Sequence, residues 1–408
     1  MPSTLYFVGK PYPIQDASAT FARLGLRIGL IQDKNCPVAH PNDFAVIHQS
    51  DFSRPDQIVA TLGSKLQDAA GLLCSYENYI VATAVMAEQL GLPGQSVESA
   101  RLCTDKVRMR DAFWRYNPGI TPGFVEVGLD ADVLAVTNHL QFPVVIKPAS
   151  LVKSLFVVRC NNPSDLQLQY ANLASQIHHL YQTQQVYDHE PRILVEEYMP
   201  GQLCSVAAFV DHTGTPHFCD GIAKLVNATE KGFDDNFLYA RVLPDDVSPK
   251  LRANIFAVAR AGVAALGITS TPAHIELIHD GHTARIVEIG ARIGGYRPRM
   301  YQLSYGIDLI EQEAQLALGK QPDLRGTFAG YTGVFELFPH HAGTLQTITG
   351  LDSPQEFAYV SKRAQPGNKV GPAKQGYRAA SFIIATAPTH EQFVKIQDTI
   401  DAMQVVVS

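Results

Sequence analysis

Two carboxylates, an arginine and several glycines crowd one stretch of the chain, HIELI at 274–278 followed by IVEIGARIGG at 286–295. Glu276 and Glu288 each interrupt a run of apolar, largely β-branched residues, where an unpaired charge is costly. Asp280-Gly281 between the runs is a hairpin turn signal. A loop of three residues, 280–282, puts the two acids on one sheet face along a diagonal, and a loop of five, 280–284, puts them directly opposite. Carboxylates so placed repel unless one is protonated or a cation lies between them. An all-oxygen pair suits Mg2+, which takes one or two carboxylates and completes its shell with water and phosphate oxygens. Taken alone, the pair also fits a solvated hairpin face that carries polar residues by alternation. Arg292 adds a planar, permanently charged donor for phosphate oxygens. Gly290, Gly294 and Gly295 allow a backbone to approach a ligand closely, and His274 shares the face of Glu276.

Two lysines extend the pattern. Lys147 ends the strand-like FPVVI, where lysine is a poor packing choice, and Lys106 follows Asp105 near a helix start. Each has a plain alternative, a strand-end lysine reaching for water and a solvated helix charge. The loop ASLVKS after Pro148 offers backbone N–H groups, Ser150, Lys153 and Ser154 to phosphates, without the glycines such loops commonly contain. VEEYMPG at 195–201 reads either as a hinge presenting backbone groups and Glu196 to an adenine ring or as an edge strand with two acids.

The elements that must position these groups fall into an α/β half followed by α+β segments. Short apolar runs at 5–9, 26–31, 44–48 and 71–75 alternate with helical patterns, which argues a parallel sheet of βαβ units. Gly9 stands outside any G-x-G-x-x-G, so no dinucleotide site is read there. Residues 104–117 read as a helix capped by Thr104, and 163–184 as a helix capped by Ser164. Strands are expected around 142–148, 157–160, 192–199, 204–211 and 216–227, and helices over 248–267 and 301–320. Residues 228–246 read as a long irregular loop over the site, its Phe233, Phe237 and Tyr239 suggesting an apolar pocket and its Lys231 and Arg241 adding charge. Beyond it lie strand-like 331–338 and 379–386, a turn-rich 343–354 and a closing helix. Arg297 and Arg299 are candidates to hold a substrate carboxylate, or equally a solvated loop pair.

With 408 residues, 46% of them apolar, the chain is long enough for several cores. A net charge of -6 and a pI near 6.1 show no basic stripe for nucleic acid or an anionic membrane. The six cysteines are widely spaced, without zinc-site spacing, as expected of a reducing cytoplasm. The first residues read as a strand and no signal peptide, and IFAVARAGVAALGI at 255–268 is too short to span a bilayer.

In this order DK at 105–106, FPVVIKP at 142–148, VEEYMPG at 195–201, HIEL at 274–277 and VEIGARIGG at 287–295 resemble the ATP-grasp superfamily. The resemblance runs the length of the chain. It implies a Rossmann-like domain over 1–100, a small grasp lobe with a linker helix over 101–190, a large lobe with the metal site over 191–325, and a C-terminal α+β subdomain over 326–408. It implies that Lys106, Lys147 and Ser154 bind ATP phosphates, that Glu196, Glu197, Tyr198 and Met199 line the adenine pocket, and that Glu276 and Glu288 hold Mg2+, or Mn2+ in its place. Arg292 would face the transferred phosphoryl group, with His274, Gly294 and Gly295 near the substrate. The usual Asn two residues after the second Glu is Gly290 here, and the usual ribose acid falls at Leu203. Gly290 also occurs in the branch similar to dipeptide-forming L-amino-acid ligases, whose matching stretch reads E-I-G-A-R.

The activity implied is ADP-forming coupling of a carboxylate to an amine through an acyl phosphate, with amino acids as substrates. No nucleic-acid or membrane partner is expected, and a homo-oligomer is compatible with the sequence. Two alternatives stand beside it: a related ligase using a thiol or the amine of a nucleotide precursor, and a nucleotide-binding regulatory protein with a degenerate site.

Overall fold

The structure, a computed structural model, describes residues 3–12, 14–151, 155–184, 186, 190–351 and 357–408, apart from the side chains of residues 14–16. Its first sheet is parallel, β3-β2-β1-β4, built from β1 (Thr4–Val8), β2 (Arg27–Asp33), β3 (Val46–Ser50) and β4 (Ala69–Leu73). Helices α1 (Ile14–Arg23), α2 (Ile58–Leu62) and α3 (Ile80–Leu90) complete the βαβ units. All of β1 is buried, which is why its sequence is a continuous apolar run instead of an alternating one. Gly9 follows it at φ +74, with the Tyr79 ring 2.3 Å from where a Cβ would sit, so only glycine fits that turn.

Helix α4 (Val97–Thr104) then meets α5 (Lys106–Tyr116). Thr104 is the last residue of α4 and not the expected cap; Asp105 caps α5, its carboxylate accepting from the N–H groups of Val107 and Arg108. An acid gains there from the helix dipole as well as from the hydrogen bonds.

A four-stranded antiparallel sheet comes next, ordered β5-β8-β6-β7. Its strands are β5 (Phe124–Val127), β6 (Val144–Pro148), β7 (Val158–Cys160) and β8 (Ile193–Glu197), with α6 (Val133–Val136) and α7 (Pro163–Thr183) packed against them. Strand β8 is paired on both sides, so the edge-strand reading of VEEYMPG does not hold. Helix α7 is capped by Asn162 rather than Ser164, because Pro163 occupies its first turn.

The largest sheet runs β14-β13-β9-β11-β12-β15-β19-β17, with β10 added on β9. It comprises β9 (Gln202–Val210), β10 (Pro216–Phe218), β11 (Ala223–Asn227), β12 (Leu238–Leu243), β13 (Thr271–His279), β14 (Ala284–Gly290), β15 (Tyr331–Leu337), β17 (Phe357–Lys362) and β19 (Ser381–Ala387). Helix α8 (Pro249–Ala265) packs beneath the β13/β14 hairpin. The single helix expected over 301–320 is two, α9 (Arg297–Tyr305) and α10 (Leu309–Ala317), broken by Gly306 at φ +72 and restarted by an Asp308 cap. The turn-rich 343–354 contains a strand, β16 (Gly343–Ile348), which joins β18 (Lys369–Val370) and β20 (Val405–Val407) in a small sheet beside α11 (His390–Asp401); residues 352–354 of that stretch lie outside the described residues.

The irregular loop expected over 228–246 is the largest departure. Residues 238–243 are β12, an inner strand between β11 and β15. Phe233 stacks on His340 at 4.2 Å, Phe237 meets Phe338, and Tyr239 donates from its hydroxyl to Asp401 at 2.7 Å. Lys231 also pairs with Asp401, and Arg241 pairs with Glu336. These aromatics pack in and against the C-terminal core. The sequence misled here because Arg241, a polar residue inside a central strand, is neutralised by a partner 95 residues away.

Candidate active site

The β13/β14 hairpin fits neither loop length considered. His279 pairs with Ala284, so the loop holds residues 280–283, with the Asp280 carboxylate accepting from the N–H groups of His282 and Thr283. Continued without interruption, that register would set Glu276 against Val287 and turn Glu288 to the other face. A bulge intervenes: Val287 has no Cα partner, and Glu276 lies directly opposite Glu288. One extra residue thus creates the carboxylate pair.

Cations converge on it. Lys106, at the first position of α5, sends Nζ to 3.2 Å from Glu288 Oε2 and donates to the Leu151 carbonyl at 2.9 Å. Burial alone would raise the Glu288 carboxyl, but Lys106, Lys147 and Arg292 hold it down at about 2. Lys147 is buried at the end of β6 and donates to Glu196 Oε1 at 2.5 Å. Burial is the main cause that brings its ammonium down to about 8, with Glu196 opposing. Across the pair, His274 Nε2 lies 3.2 Å from Glu276 Oε1. Burial pushes the imidazole below its usual value; with Nε2 donating to the carboxylate, Nδ1 is buried without a partner among the described residues.

Arg292 is positioned by a residue the sequence reading missed. Glu77, in the turn after β4, accepts from Arg292 Nε at 2.7 Å, while Arg292 also donates to the Ile293 carbonyl. A Cβ on Gly290 would stand 3.1 Å from Glu77 Oε2 and 3.2 Å from Oε1. The space in which an asparagine side chain would start is therefore used by a carboxylate from the turn after β4. The signal for Glu77 was its place just after the carboxyl end of a parallel strand, where α/β sheets hold their ligands. Gly294 is required by His274, whose Nδ1 would lie 2.5 Å from a Cβ there, whereas Gly295 faces open space.

At the strand end, Glu196 is buried and shared between Lys147 and Arg110. Arg110 was also missed, although it lies four residues after Lys106 on the same face of α5. Glu197 turns away from these charges and accepts from the Gly123 and Gln141 N–H groups. Tyr198 donates its backbone N–H to the Pro143 carbonyl and lies under the Arg159 guanidinium, and Met199 is buried beside it. Ser154 and Lys153, expected at phosphates, lie outside the described residues; Ser150 is buried, its hydroxyl without a partner among the described residues.

Among the described residues no three His, Cys, Asp or Glu side chains form a metal cage. Two facing carboxylates, with Glu288 held ionised, match the donor set of a Mg2+ whose other ligands are phosphate oxygens and water. Among the described residues no helix is long and apolar enough to cross a membrane.

Residues 140–316 match the ATP-grasp domain. An uncharacterized protein, y4rH, of Sinorhizobium fredii is 23% identical over 334 residues, 79% of this chain and 65% of that protein, so the chain spans just under two thirds of that relative's length. The alanine–anticapsin ligase of Bacillus subtilis is 21% identical over 359 residues, covering 82% of this chain and 74% of the relative. The crystal structure of an L-amino acid ligase from Bacillus licheniformis superposes with a TM-score of 0.81 at 21% identity, covering 100% of this chain and 99% of that one.

Proposed function

We propose, from the match of residues 140–316 to the ATP-grasp domain, that the chain is an ATP- and Mg2+-dependent ligase joining the carboxylate of one small amino acid to the amine of another. The observation that carries this reading is the bulged hairpin, which sets Glu276 against Glu288 while Lys106, Lys147 and Arg292 act on Glu288. The relatives named as amino-acid ligases support the substrate class.

A carboxylate accepts an amine poorly because oxide is a poor leaving group. In the proposed reaction a carboxylate oxygen attacks the γ-phosphorus of ATP, the bond to the bridging oxygen breaks, and ADP leaves. The amine, as free base, then attacks the acyl carbon; the C–O bond breaks, phosphate leaves, and the nitrogen gives up its proton to solvent. Such phosphoryl transfer needs positioned charge more than covalent help from protein. Lys106 and Lys147 supply positive charge for the phosphates. Lys106 now lies on Glu288 at 3.2 Å, so nucleotide binding would exchange partners: lysine to phosphate, carboxylate to Mg2+. Glu276 and Glu288 would hold the ion, which would supply charge neutralisation for the phosphates. Arg292, fixed by Glu77, is placed to stabilise the oxyanion at the acyl carbon. Arg297 is buried and bonded to Ser205 Oγ with no ion-pair partner among the described residues, which suits it to a substrate carboxylate.

The test is phosphate release from ATP and Mg2+ over pairs of amino acids, repeated with Glu288→Gln. Release dependent on both amino acids is expected, falling about 100-fold or more in the variant, as loss of several kcal/mol of charge stabilisation requires. Unchanged turnover in the variant would refute the metal assignment, and absence of amino-acid-dependent release would refute the ligase.

A further inference from the structure

Arg110 is among the largest fully buried side chains, with 1% of its surface exposed in the second turn of the site helix α5. Its guanidinium reaches two elements that belong to different sheets. Nε donates to Glu196 Oε2 at 2.9 Å, at the end of β8. The terminal NH2 group donates to the carbonyl of Val287 at 2.8 Å, and Val287 is the residue left over in the β13/β14 bulge. The other oxygen of Glu196 takes Lys147.

We propose that Arg110 is a positioning residue that ties the nucleotide hinge to the metal hairpin, one guanidinium fixing both the Glu196–Lys147 pair and the bulge that presents Glu288 to Glu276. The inference rests on reading this site as an ATP and Mg2+ site. Three physical points carry it. A bulge re-aims side chains, and its leftover residue lacks the ladder contacts that hold its neighbours, so a bond to the Val287 carbonyl pins the register shift. Glu196 is buried with two cations, and removing one changes the charge balance around Lys147 as well as its geometry. Only a planar fork with donors at both ends spans the two acceptors; an ammonium of similar reach has one donor centre.

The experiment compares the full chain with Arg110→Met and Arg110→Lys, measuring equilibrium binding of ATP at saturating Mg2+, the Mg2+ concentration required for that binding, and thermal stability. These readouts do not require ligase turnover. Arg110→Met is expected to weaken ATP binding and to raise the Mg2+ requirement, each by about 10–100-fold, the range usual for groups that orient metal ligands. Arg110→Lys, which keeps the charge, is expected to recover part of the ATP affinity and little of the Mg2+ requirement, since the reach to Val287 is lost. A role in folding alone would lower the melting temperature and leave both affinities within about twofold, overturning the proposal. If Arg110→Met does not fold, Arg110→Lys decides by the same criterion. A wild-type chain that binds no ATP would refute the nucleotide site itself, an outcome distinct from variants that bind as well as wild type.

Discussion

Glu313 offers a test of the fold around the site that is independent of any substrate. It lies in α10, 4% exposed, facing the Tyr12 phenol and the Cys74 backbone, and its Oε2 has no partner among the described residues. Burial pushes its carboxyl up from 4.5 to about 8, with Tyr12 and the Cys74 N–H opposing. An acid raised on folding binds its proton more tightly in the native chain than in the unfolded one. Its contribution is therefore fully present below the unfolded value and is lost as pH rises through the folded value. Each pH unit in that window is worth about 1.4 kcal/mol, so crossing the whole window costs the folded chain about 5 kcal/mol, an order-of-magnitude figure. Glu313→Gln keeps the shape and cannot ionise. The two chains should unfold in urea with similar free energies near pH 5, and the variant should be the more stable by about 3–5 kcal/mol near pH 8.5. A difference that stays constant between those pH values would refute the assignment of a neutral, buried Glu313.

Gly290→Asn, which restores the residue usual at that position, is expected to lower turnover by about 10–100-fold and not to tighten Mg2+ binding, because its Cβ would press on Glu77 at 3.1 Å and loosen Arg292; Mg2+ titration of phosphate release checks this, and tighter Mg2+ binding with full turnover would contradict it. Tyr239→Phe removes the bond to Asp401 in the C-terminal core and should cost about 1.5–3 kcal/mol in denaturant unfolding, as for hydrogen bonds to charged groups, with ATP binding unchanged. A variant that loses substrate affinity without losing stability would reinstate the 228–246 segment as a site loop.

The candidate site groups were legible because each breaks the pattern of its own strand. Glu276, Glu288 and Lys147 are charges inside apolar runs, and nothing in a lone core explains them. What positions them left no such mark. The bulge depends on a register shift that no composition announces, and with it the facing of the acids came out right while the loop length did not. Glu77 and Arg110 look like ordinary turn and helix charges, and acquire meaning only when sheets distant in sequence meet. Strand β12 was hidden for the same reason, since its partner β15 lies some ninety residues later and supplies the carboxylate that makes Arg241 acceptable. Helix starts at Asp105 and Asn162 were each misplaced by a residue or two, the scale on which competing capping residues differ little.

The bond from Glu77 to Arg292 bears on modularity. The segment that matches the domain family begins at residue 140, yet Glu77, Lys106 and Arg110, three of the charges that face the site, precede it in the chain. Transplanting that segment into another scaffold would move both carboxylates and leave behind a lysine, an arginine and the acid that aims Arg292. Chimeras between relatives should therefore exchange the parallel sheet together with the hairpin, as one inherited unit, or carry Glu77 and Gly290 across as a pair.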